Sequence, residues 1–163
     1  MTMDLATIED RTGLELRRLR YVLEHRVLPG GRIGSEGRGI PRNFTDFEAF
    51  GIACAALLLK AGLRRRLVTQ CLELLCTHKL GSRSHRAHPV FYDAWENADA
   101  GFLEVGDGVN VRISAEAEVG GRNVDSGWMQ VSTGANLTDD YAATIRVSID
   151  IGRLRQYLSG PTA

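Results

Sequence analysis

From Leu5 to about residue 78 the apolar residues recur at the spacing of helices, and after Pro89 they begin to alternate with polar ones as in strands. Residues 5–11 predict a short helix ended by Thr12-Gly13. Residues 14–25 predict a second, with Leu16, Leu19, Val22 and Leu23 on one face. Pro29-Gly30-Gly31 breaks that helix, and Gly34, Gly37 and Gly39 follow among basic residues. This glycine-rich stretch, 29–43, predicts a loop or a two-stranded ribbon. Thr45 or Asp46 is the expected N-cap of a long apolar helix, DFEAFGIACAALLLKAG, which Gly62 closes. A fourth helix is expected over 64–78, and KLGSRSHRAHP (79–89) has the composition of a linker.

In the second half VNVRISAEAEV (109–119) and TIRVSIDI (144–151) alternate with a period of two. In the latter, Ile145, Val147, Ile149 and Ile151 are expected on one face, opposite Arg146, Ser148 and Asp150. Asp107-Gly108, Gly120-Gly121 and Thr133-Gly134 supply turns, and GRLRQYL (152–158) predicts a short terminal helix. The expected fold class is therefore α+β. A helical domain over 1–78 is followed by the linker and by a small antiparallel β-rich domain over 90–163.

With 163 residues, 44% of them hydrophobic and 25% charged, the chain has the composition of a globular protein able to bury a core. No stretch approaches the roughly 18 apolar residues of a membrane span, and the first 13 residues are acidic and helical rather than signal-like. Cys54, Cys71 and Cys76 lie in apolar helical sequence and fit packed thiols in a reducing cytoplasm better than a disulfide framework. The zero net charge conceals a segregation. Residues 1–89 hold 15 Lys/Arg against 9 Asp/Glu, whereas residues 90–163 hold 5 against 11. A basic first half joined to an acidic second half implies a polyanionic partner for the former.

Arg17, Arg18 and Arg20 place three cations in four residues directly after a Thr-Gly turn. A helix, a tight turn and an arginine-bearing second helix form the helix-turn-helix arrangement, in which forked guanidiniums reach guanine edges and phosphates. Glu15, Leu16, Arg17 and Arg18 then stand at the start of the helix that enters the groove. Leu5, Thr12-Gly13, Leu19-Arg20-Tyr21, Val27-Leu28-Pro29, Arg32, the run Gly39 to Phe47, Phe50, Leu57, Leu58, Lys60-Ala61-Gly62 and Leu67 together resemble the MerR-type winged helix-turn-helix domain, over about residues 5–75. The resemblance implies duplex DNA as partner. Arg17, Arg18, Arg20 and Tyr21 would lie on the recognition helix, and Arg32, Arg38 and Arg42 would be phosphate clamps of the wing. The chain departs from the family at Glu9, where a small Ala is usual, at Val22 in place of an aromatic, and at Arg26 in place of Gly. The family's long dimerisation helix is replaced by β sequence.

Cys71, Cys76, His78, His85 and His88 fall within eighteen residues, but their spacings fit no zinc pattern, so no metal is expected. Glu116 and Glu118 share a strand face and alternate with Ala115 and Ala117 as a solvated surface does. Neither a catalytic constellation nor a cofactor is expected. Trp128 and Met129 are expected in the core. The expectation is a cytoplasmic, nucleoid-associated, sequence-specific transcriptional regulator of prokaryotic or phage type that binds as a homodimer or higher oligomer. A phage-type packaging or excisionase-like DNA-binding protein, or a ligand-binding β-domain with secondary DNA binding, is the alternative.

Overall fold

The computed structural model describes residues 2–28, 42–77, 90–97, 100–106, 110–116, 123–125, 129–130 and 146–160. The first half comprises β1 (Thr2–Met3), α1 (Leu5–Thr12), α2 (Leu16–Glu24), β2 (Phe44–Thr45), α3 (Asp46–Lys60) and α4 (Arg65–Thr77). The second comprises α5 (Val90–Asn97), β3 (Ala100–Gly106), β4 (Asn110–Glu116), β5 (Asn123–Asp125), β6 (Met129–Gln130), β7 (Arg146–Asp150) and α6 (Ile151–Ser159). The fold is α+β. The expected turns at 107–108, 120–121 and 133–134, the linker 79–89 and Trp128 lie outside the described residues.

α3 is the central element. A capping box starts it: the Glu48 N–H donates to Thr45 Oγ1 at 3.2 Å, and the Thr45 N–H donates to Glu48 Oε2 at 2.7 Å. A Schellman motif ends it. Gly62 adopts φ +94°, its N–H donates to the Leu59 carbonyl, and the Leu63 N–H reaches back to Leu58. Every residue from Ala49 to Ala56 is buried, which accounts for a sequence that is apolar on all sides. Contacts with α1, α2, α4, α5, α6 and β7 surround it.

The larger sheet is antiparallel, in the order β5-β4-β3-β7, with β6 pairing β4. Register stacks its inward residues in two rows: Ile113, Leu103 and Ile149, then Val111, Val105 and Val147. All but the half-buried Val147 are buried, and α6 packs on β3 while α5 packs on β4. One apolar cluster runs from Met3 to Leu158, so the basic and acidic halves share a core. Arg11 of α1 donates to the Leu158 carbonyl near the end of α6 and strengthens that junction.

Two expectations need correction. The period of two does not begin at Pro89, because Val90–Asn97 is helical. Phe91 and Trp95, four apart, fall on one face and pack their rings 5.2 Å from Phe50, which pulls the segment into a helix. Ile151 does not continue the β7 face. Asp150 accepts the Arg153 N–H at 2.8 Å as the N-cap of α6, and Ile151 becomes that helix's first residue.

Candidate functional site

The arginine-bearing helix α2 is seated by α1. Asp4 Oδ1 accepts from the Thr7 N–H at 2.8 Å and from its hydroxyl at 2.7 Å, which fixes the start of α1 and holds the half-buried Asp4 carboxyl below its ordinary pKa. Gly13, at φ +66°, ends α1 and turns the chain. Glu15 makes no side-chain cap at the start of α2. Glu9 supplies one instead, its Oε1 accepting the Leu16 N–H at 2.9 Å. Glu9 thus ties the two helices together. Ile8, Leu14, Leu19 and Val22 are buried beneath.

With Leu19 and Val22 turned inward, 3.6 residues per turn directs Arg17, Arg20, Tyr21 and Glu24 to the opposite face. The exposures agree. Arg17, Arg20, Tyr21 and Glu24 are exposed, while Leu16 and Arg18 are half-buried at the flanks and Glu15 is exposed at the N-cap. No side-chain hydrogen bond or ion pair joins Arg17, Arg18 or Arg20 to another described residue. Arg42 is half-buried beside β2 and already partnered, and Arg32 and Arg38 lie outside the described residues.

α2 ends in a second Schellman motif, with Arg26 at φ +48° and the Val27 N–H donating to the Val22 carbonyl at 3.0 Å. An arginine therefore occupies the left-handed position that glycine usually fills.

The tertiary structure adds cations that the sequence reading did not single out. Tyr21 and His25 pack at a tilt with ring centroids 4.2 Å apart, and Arg65 Nη1 lies 3.0 Å from His25 Nδ1. A guanidinium only donates, so His25 Nδ1 is the acceptor. This contact places the first turn of α4 beside α2, and Arg64, Arg65 and Arg66 are all exposed. A signal for them existed in the sequence. Cations at a helix N-terminus oppose the helix dipole, a penalty of roughly 0.3–1 kcal/mol each, so three in succession ask for a compensating partner.

The thiols are packing groups. Burial pushes Cys71 up to about 12 and Cys76 up to about 11, and burial with the neighbouring Cys76 pushes Cys54 higher still. Such thiols are poor thiolate ligands, and no group of three metal-ligating side chains occurs among the described residues. His78, His85 and His88 lie outside them. Glu104 sits opposite Arg112 in register, and Asp150 is a helix cap. No described helix is long and apolar enough to cross a membrane. No protein-family model, curated protein or solved structure matches the chain.

Proposed function

We propose that the protein is a sequence-specific duplex-DNA-binding regulator whose helix α2 enters the major groove. The observation that supports this most directly is the outward face of α2. Arg17 and Arg20 stand there with no side-chain hydrogen bond or ion pair to another described residue, beside the exposed Tyr21, on a helix whose opposite face is locked to α1 and α3. Guanidiniums left unpaired on a rigid helix are suited to bidentate recognition of guanine edges and phosphates. Arg64, Arg65 and Arg66 extend the cationic surface as phosphate contacts.

The parent arrangement in this proposal is the MerR-type winged helix-turn-helix. Left-handed Arg26, where that family has Gly, supports it. So does the antiparallel pairing of Met3 with Phe44, which returns the chain beside β1 after the segment that would form the wing. Because one such domain covers few base pairs, the reading includes a homodimer on paired half-sites.

Selection from a random duplex library with the purified chain tests it. The expected result is an enriched motif with two related half-sites. Binding should weaken by about 10- to 100-fold per lost base-contacting arginine in Arg17→Ala and Arg20→Ala. Absence of any enriched sequence, with both variants binding as the parent does, refutes the reading. A ring-shaped assembly by light scattering would favour the packaging role over regulation.

A further inference from the structure

A cleft of about 250 Å³ lies between the first and second halves of the chain. Its apolar lining is Leu14 from the α1–α2 turn, Leu57 from α3, Ile149 from β7 and Leu154 from α6, all buried or half-buried. Its polar lining includes exposed Asp150 and Arg153. These are opposite charges three residues apart at the start of α6, yet they form no ion pair with each other. Each is held elsewhere. One Asp150 oxygen accepts the Arg153 backbone N–H, while Arg153 Nε donates to the Tyr157 hydroxyl at 2.8 Å, with the guanidinium 5.5 Å from the Tyr157 ring centroid. Among the described residues nothing bonds the terminal guanidinium nitrogens or the second carboxylate oxygen.

We infer that this cleft binds a free α-amino acid with a branched or aromatic side chain. An ammonium suits Asp150, a carboxylate suits the open fork of Arg153, and the apolar lining suits the side chain. The size agrees, since a cavity of about 150 Å³ accommodates benzene and the remainder admits the zwitterionic end. A simple carboxylic acid fits less well because Asp150 would face it with like charge.

Thr12 also lines the cleft, and its hydroxyl accepts the Leu14 N–H at 3.3 Å in the turn that seats α2. A bound amino acid therefore touches the support of the recognition helix and couples to whatever α2 binds. That consequence rests on the DNA-binding reading, whereas the binding itself does not.

The test titrates the isotopically labelled full chain, free of nucleic acid, with L-leucine and L-phenylalanine, following backbone amide shifts. Expected is saturable, millimolar binding with shifts at Thr12, Leu14, Ser148 and Leu154. L-leucinamide and 4-methylpentanoate, each lacking one of the two charges, should bind about tenfold more weakly. Arg153→Gln, at an exposed position, should lose a similar factor, and Lys60→Gln, exposed on α3 outside the cleft, should behave as the parent. No saturable shift, equal binding of the analogues, or an Arg153→Gln variant that binds as the parent overturns the inference. Amino-acid binding without any DNA binding would leave it standing and refute only the DNA-binding reading.

Discussion

Leu158 offers a direct test of whether the two halves are energetically one body. Its side chain is fully buried near the end of α6, a helix that packs on α1, α3 and β3, and its carbonyl accepts from Arg11 of α1. Leu158→Ala removes three carbon groups from water-free surroundings, about 2.4 kcal/mol at roughly 0.8 kcal/mol per group. The cavity left behind raises the cost to about 3 kcal/mol. For a chain of this length that lowers Tm by roughly 6–12 °C. Thermal melts followed by far-ultraviolet circular dichroism, which reports mainly the helices, and by tryptophan fluorescence should shift together. Amide exchange in α1 and α2 should accelerate along with that in β3. The physical reason is continuity: α6 belongs to the second half but buries its apolar face on the first. Should α1 to α4 keep the parent's midpoint and protection while only the sheet loosens, the shared core contributes no cooperativity and this reasoning fails.

Three further outcomes are expected. Arg26→Gly relieves a left-handed φ of +48°. The relief outweighs the backbone entropy of glycine by about 0.5–1 kcal/mol, so the midpoint of urea unfolding should rise, and a fall would show that the Arg26 side chain contributes more than its backbone costs. The buried thiols, raised above their ordinary 9.0, contribute stability that is full below pH 9.0 and lost as pH climbs toward the folded-state values. Cys71→Ala should therefore flatten the fall of unfolding free energy with pH above 9 by about 1.4 kcal/mol per unit, and parallel curves for parent and variant would contradict a buried neutral thiol. Replacing Arg64, Arg65 and Arg66 by Gln should weaken binding to all duplexes alike and reduce the salt slope by roughly 0.9 per lost phosphate contact, whereas an unchanged slope removes α4 from the interface.

What the sequence determined by itself was everything local. Apolar spacing located α1 to α4, β4 and α6, and the cap residues Thr45, Gly13 and Gly62 marked helix ends, because a capping bond joins residues only a few positions apart. The outward face of α2 was legible for the same reason: Leu19 and Val22 had to turn inward, so Arg17, Arg20 and Tyr21 had to turn out. Tertiary structure alone decided the rest. α5 is only eight residues long, too short to persist without the rings of Phe47 and Phe50 against it. The two-residue strands β1 and β2 exist only as each other's partner across more than forty positions. The meeting of His25 with Arg65, the latch from Arg11 to Leu158, and the cleft holding Leu14 beside Arg153 join residues remote in the chain. Periodicity reports which way a side chain faces relative to its own backbone, and it has no term for what the folded chain brings to that face.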